Sequence, residues 1–346
     1  SNRWHGKSPR EAPVLSPHPN RGRAMNKLLP LIGVLATAGF LAYTNWPLPQ
    51  PERLLYSVVD LGADCRPIAI NNRGEILLRT EREEAVRLPD GAMVPIRIDS
   101  AVPYDLVSMN DAGQVLGRTS TGGEEEKAFI WNRSEGVRFI PEEVQLEQGG
   151  TAKIVSVHSL TNDGKIGVTV RNETGHHRGI LNPDGWVLPI SSRSTPRLTP
   201  GGALLLRRNL LWSDGRSEEL PRGITRYRTP TQGAEFVIYP TGLNDEGCVI
   251  GFAFPSDIDY RRMRGRMRER PETTRGDPPP ELPETGFPFL RLDNVYLNLN
   301  LCIPPGSSWN LRWPSDVNNQ EQVIGYGLKG DAPSGFLLEP IEGEIG

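Results

Sequence analysis

The sequence predicts an all-β protein built as a six-bladed β-propeller, on three observations. A short unit recurs six times without a gap: aliphatic, Asn or Thr, two residues, usually Gly, one residue, aliphatic. The copies stand at about the length of a four-stranded blade from one another. The two ends of the repeat region carry complementary fractions of the last blade.

The copies run from Ile70 to Ile76, Met109 to Val115, Leu160 to Ile166, Leu198 to Leu204, Leu243 to Val249 and Val317 to Val323. Their Asn or Thr positions are Asn71, Asn110, Thr161, Thr199, Asn244 and Asn318, with steps of 39, 51, 38, 45 and 74 residues. Asn, Asp and Gly accept left-handed backbone or bond their own main chain, so each unit reads as a tight strand-to-strand turn. The apolar runs that follow, such as Val115-Leu116-Gly117 and Val249-Ile250-Gly251, are short and bounded by turn signals, which favours strands over helices.

A third apolar column follows a small or variable residue: Ala85-Val86, Ala128-Phe129, Gly179-Ile180, Asn209-Leu210, Pro288-Phe289 and Gly335-Phe336. A second turn, as in Pro89-Asp90-Gly91 and Pro183-Asp184-Gly185, then leads to a fourth stretch, so each unit holds about four strands. The unit around Thr199 is the most degenerate. Residues 54 to 62 read as a fourth strand without its first three, and the chain stops after a third strand at Gly335 to Pro340. The N-terminal strand is therefore expected to complete the last blade and close the ring, which removes exposed sheet edges.

The segments outside the propeller, expected over residues 54–340, have their own character. Residues 1–24 are basic and Pro-rich and read as a disordered tail. Residues 25–45 hold a charge-free apolar run, 28–43, preceded by Arg21, Arg23 and Lys27. This is the layout of a signal peptide, cleaved near Ala36-Thr37-Ala38, or of an uncleaved signal anchor in the cytoplasmic membrane. Either reading makes the protein secreted or periplasmic. Residues 46–53 form a Pro-rich linker and 341–346 a tail.

Chemistry-bearing motifs are sparse. No catalytic, cofactor-binding or metal-binding residue is assigned. His158 falls on an innermost strand and reads as a hydrogen-bonded core residue; His176 and His177 fall on a Gly-bounded turn without a third spaced ligand. Cys65, Cys248 and Cys302 cannot all pair within one chain; a Cys65–Cys302 disulfide is conceivable, and reduced buried thiols fit better. The insertion at 255–285 carries the one dense charge run, Arg261, Arg262, Arg264, Arg266, Arg268 and Arg270, read as a solvated loop and as the candidate partner-binding arm. With a net charge of −3 and no aromatics among those arginines, the chain does not read as a specific nucleic-acid binder.

Asp60-Leu61-Gly62, Met109 to Gly117, Lys127 to Trp131, and Asn298 to Leu301 followed by Ile303 to Gly306 resemble the bacterial HAF-repeat proteins over about residues 54–340. The chain departs from that pattern where His would precede Ala-Phe: Glu84, Lys127, Arg178 and Ser334 stand there. The resemblance implies a repeat array, often extracytoplasmic, with no reaction attached. The expectation is a monomeric, non-catalytic binding or scaffolding propeller for a protein or surface glycan. The rival is a propeller hydrolase or lyase acting on extracellular polysaccharide, which needs carboxylates from several blades around one concave site.

Overall fold

Each copy of the repeat is the hairpin turn between the innermost strand of a sheet and the strand that follows it. In the first, the Asn71 N–H donates to the Glu75 carbonyl (3.1 Å) and the Gly74 N–H to the Asn71 carbonyl (3.0 Å), with Gly74 at φ 73°. The side chain at the Asn or Thr position locks the turn by accepting the amide four residues on: Glu75 on Asn71 (3.0 Å), Lys165 on Thr161 (2.8 Å), Cys248 on Asn244 (2.8 Å). All six of these side chains are buried, so the requirement for an acceptor is strict.

The computed structural model describes residues 56–63, 65–81, 83–98, 103–119, 127–191, 194–224, 236–255, 286–292 and 294–341. The expectations for the N-terminal tail, the apolar run at 28–43 and the arginine arm lie outside the described residues. Among those described, no helix is long and apolar enough to cross a membrane.

The strands form six sheets, the blades of an all-β propeller. The first holds β2 (Arg66–Ile70), β3 (Ile76–Arg79), β4 (Glu84–Arg87) and β5 (Met93–Pro95). The second holds β6 (Tyr104–Met109), β7 (Val115–Thr119), β8 (Ala128–Asn132) and β9 (Gly136–Phe139). The third has β10 (Glu143–Leu146), β11 (Thr151–Leu160), β12 (Ile166–Asn172), β13 (Gly175–Leu181) and β14 (Trp186–Ile190). The fourth, with the shortest strands, has β15 (Arg197–Leu198), β16 (Leu204–Leu206), β17 (Asn209–Leu211) and β18 (Ser217–Glu219). The fifth has β19 (Gly223–Ile224), β20 (Phe236–Leu243), β21 (Val249–Pro255), β22 (Phe287–Leu292) and β23 (Val295–Asn298). The sixth has β24 (Trp309–Val317), β25 (Val323–Lys329), β26 (Ala332–Pro340) and, outermost, β1 (Tyr56–Ala63).

Two blades depart from the expected four strands. The ten-residue β11 overhangs, and its first residues pair with β10, which also runs parallel to β14 through Gln145 and Leu146. The third sheet thereby curls into a closed five-stranded barrel around Val144, Leu146, Ile154, Val168, Val170 and Val187. In the fifth sheet β19 adds a strand beside β20.

The N-terminal strand pairs antiparallel with β26 from Tyr56↔Pro340 to Ala63↔Ser334. The ladder slips one residue at Leu61, and Gly62 takes φ 111° there, so the Asp60-Leu61-Gly62 motif is a bulge. Asp60 holds it by accepting from Gly62 N–H (2.9 Å), Ser334 Oγ (2.7 Å) and Lys329 Nζ (2.8 Å).

Neighbouring blades are stitched by the same Asn column that locks the turns. Asn71 Nδ2 donates to the Asn110 carbonyl (3.2 Å), Asn110 Nδ2 to Thr161 (3.0 Å), Asn244 Nδ2 to Asn318 (2.8 Å) and Asn318 Nδ2 to Asn71 (3.0 Å). Thr has no amide to extend. At the third blade the link becomes Asn162 N–H to the Pro200 carbonyl (2.7 Å), and at the fourth the Thr199 hydroxyl and Gly201 N–H both donate to Asp245. A parallel set joins the next residues: Asn72 to Asp111, Asp111 to Asn162, Asp245 to Asn319, and Asn319 to Asn72, at 2.8 to 3.0 Å. Apolar clusters fill the gaps between sheets one and two, two and three, four and five, five and six, and six and one.

Candidate functional site

The innermost strands β2, β6, β11, β15, β20 and β24 surround a cavity of about 480 Å³ on the propeller axis. In five of them the ladder to the next strand skips one residue at the same place, three before the Asn or Thr: Ile68, Val107, His158, Thr241 and Ser315. A bulge re-aims its side chain, and all five skipped residues line the cavity.

The next repeat position, two before the Asn or Thr, also lines the cavity in all six blades: Ala69, Ser108, Ser159, Arg197, Gly242 and Asp316. Four of these are small and make room; two carry opposite charge. The Asp316 carboxylate accepts the Ile70 N–H of the first blade (3.0 Å) and its neighbour Val317 N–H (3.0 Å). Ser159 accepts the Leu198 N–H of the fourth blade (2.9 Å). The buried Ser108 hydroxyl has no hydrogen-bond partner.

The electrostatics of the cavity are cationic. Arg66, Arg79, Arg118 and Arg197 line it against Asp105 and Asp316. Arg79 is engaged by Glu84 (2.7 Å) and Asp105 (3.0 Å), and Arg118 donates to Ser156 Oγ (3.1 Å). Arg197 makes no hydrogen bond or salt bridge to another described residue, is exposed to the cavity, and acts on Asp316 through space. Burial pushes the Asp316 carboxyl up to about 7, against the opposing pull of the Ile70 and Val317 amides and of Arg197. His158, bonded to Thr169 Oγ1 (2.8 Å), is pushed down to about 4 by burial and then by Arg118, Arg178 and Arg197.

These two shifts have opposite consequences for stability. Between pH 4 and 7 the folded chain keeps a proton on Asp316 that the unfolded chain has released, so raising the pH withdraws stability. Between pH 4 and 6.5 the unfolded chain keeps a proton that folded His158 refuses, so raising the pH adds stability. The wild-type slopes are expected to offset each other. Urea denaturation across this range should show His158→Gln losing, and Asp316→Asn gaining, about 2 kcal/mol of stability as pH rises. Parallel curves for the two variants would refute the assignment.

The residues singled out in the sequence fare differently. His158 is on an innermost strand and hydrogen-bonded as expected, but it faces the axial cavity instead of sitting in the apolar core. His176 and His177 belong to β13 and not to a turn; the His177 ring bonds Thr174 (2.7 Å) and Asn172 (3.0 Å). Among the described residues no group of three or more His, Cys, Asp or Glu is gathered as a metal site requires. Cys65, Cys248 and Cys302 are free and buried, their thiols pushed up by burial. Arg261, Arg262, Arg264, Arg266, Arg268 and Arg270 lie outside the described residues. Arg197, Asp316 and Ser108 were not singled out by the sequence reading; aligning the six copies two residues upstream of the Asn or Thr exposes them.

No protein-family model matches the chain, and no curated protein does. Three solved structures align with it, each with a TM-score below 0.5. A gluconolactonase from Xanthomonas campestris aligns with TM-score 0.43 and 10% identity over 83% of this chain and 90% of that one. TolB from Acinetobacter baumannii aligns with TM-score 0.41 and 11% identity over 82% of this chain and 65% of that one. A Bacteroides caccae protein of unknown function aligns with TM-score 0.31 and 13% identity over 59% of this chain and 76% of that one.

Proposed function

We propose that the protein is an extracytoplasmic propeller of the HAF-repeat type that binds a protein or surface glycan without catalysing a reaction. The observation that carries this reading is the commitment of the cavity carboxylates. Asp105 is paired with Arg79, and Asp316 caps two backbone amides, so two free carboxylates do not face each other as glycoside hydrolysis requires. The apolar run at 28–43 with its preceding cations supports export. The pairing of β1 with β26 supports a ring closed by its own N-terminal strand, suited to life outside the cell without a chaperoned edge.

One observation favours the hydrolase or lyase reading: Asp316, raised to about 7 in a cavity, has the acidity of a general acid. The two readings separate in one experiment. Protein recovered from its native host is used to capture envelope proteins and glycans, with and without residues 257–285, and is incubated with the host's extracellular polysaccharide. Stoichiometric capture with no shortening of the polysaccharide is expected. Depolymerisation that Asp316→Asn abolishes would replace the binding reading. The intact mass of the same protein shows whether cleavage near Ala38 has occurred.

A further inference from the structure

From the chemistry of the axial cavity we infer that it is a binding site for a small oxyanion, a carboxylate or phosphate-type group seated against the Arg197 guanidinium, in the layer that also holds Ser108. This deepens the binding reading and rests on it. Both residues occupy the same repeat position, two before the Asn or Thr, and so stand at one level of the cavity on blades four and two. Both lack a partner: Ser108 Oγ has no hydrogen bond, and Arg197 none to another described residue. The Ser108 hydroxyl is closed off from the cavity, so the group left open to a ligand is the Arg197 guanidinium, and an open guanidinium is completed by a ligand or by solvent.

Room for the ligand is built in at that level. Ala69, Ser159 and Gly242 are further members of the layer, and their small size leaves the cavity open there. The volume of about 480 Å³ is that of a small-molecule site. Charge sets the class. Four arginines face two aspartates, inside a chain whose net charge is −3, so the cation excess is local to the cavity. Arg118, Arg178 and Arg197 all bear on His158, an independent sign that their fields converge on one point. A guanidinium presents paired N–H donors that match a planar or tetrahedral oxyanion.

Asp316 is the competitor. It lies in the same layer and its charge is felt by Arg197, so an oxyanion binds best when Asp316 is protonated. Binding is therefore expected to tighten as pH falls below about 7 and, by reciprocity, to favour the protonated form of His158.

The test follows the His158 ring resonances of the full chain by NMR with three probes: sulfate, whose charge is constant over the range, succinate, and neutral succinamide. Saturable shifts with an oxyanion and none with succinamide are expected; sulfate alone or succinate alone assigns the tetrahedral or the carboxylate group. Arg197→Met should weaken the response about ten- to a hundredfold. Asp316→Asn should strengthen it at pH 8 and remove the dependence around pH 7, leaving that of His158 at lower pH. No saturable shift, an equal response to succinamide, or a response matched by chloride at equal ionic strength would overturn the inference. Such a failure leaves capture of a macromolecular partner, measured separately, unaffected.

Discussion

Asn318→Ala is expected to lower the unfolding free energy by about 2 to 4 kcal/mol, and Asn318→Thr by only about 1. The Asn318 carboxamide oxygen accepts the Gln320 N–H (3.1 Å) and the Gln322 N–H (3.0 Å), while its nitrogen donates to Gln322 Oε1 (2.7 Å) and to the Asn71 carbonyl of the first blade (3.0 Å). Alanine leaves two turn amides without their acceptor and removes the cross-blade bond. Threonine keeps an acceptor for the amide four residues on, as Thr161 and Thr199 do for Lys165 and Ala203. Urea denaturation with an unchanged m-value measures both. Equal losses for the two variants would show that the turn lock is not the larger part.

Gly251→Ala is expected to cost more than about 3 kcal/mol, or to prevent folding. A Cβ there would lie 2.1 Å from the Tyr239 carbonyl oxygen, a backbone atom of the paired strand β20. Phe289 also closes over the site, so the small residue is required by contacts on two sides. Gly117→Ala is the informative companion, because the three atoms nearest its Cβ all belong to the Phe129 ring, at 2.3 to 2.9 Å. Phe129→Leu should relieve Gly117→Ala, whereas Phe289→Leu should not relieve Gly251→Ala, since the carbonyl stays. Thermal unfolding of the four variants checks the contrast.

The glycines and asparagines were legible because folding demands the same residue in every copy. Turns need φ values that Gly supplies, and buried amides need an acceptor, so Asn71, Asn110 and their equivalents recur and count six blades. Their second task, reaching to the neighbouring blade, leaves no separate mark, because one carboxamide performs both. The strands β10 and β19 went unread: each is a short piece ahead of an innermost strand, and Glu143–Leu146 alternates over only four residues. The bulges were invisible as well, since Ile68, Val107, His158, Thr241 and Ser315 share no chemistry and only their place in the ladder unites them. The cavity layer was hidden for the opposite reason. Ala69, Ser108, Ser159, Arg197, Gly242 and Asp316 differ because no single side chain is required there in every blade; Ser159 and Asp316 each accept an amide of the next blade, and the others do not.

The junction between the third and fourth blades stands apart from the other five. Among the described residues no apolar cluster spans it; the Asn162–Pro200 and Leu198–Ser159 hydrogen bonds join it, and the fourth blade has the shortest strands. Under thermal load a ring of joints yields at its softest one, and here that is the joint between the third and fourth blades and not the sheet where β1 pairs with β26. Amide exchange should therefore enter at Asn162 and Leu198 before it reaches β1. Arg197 is mounted beside that compliant seam.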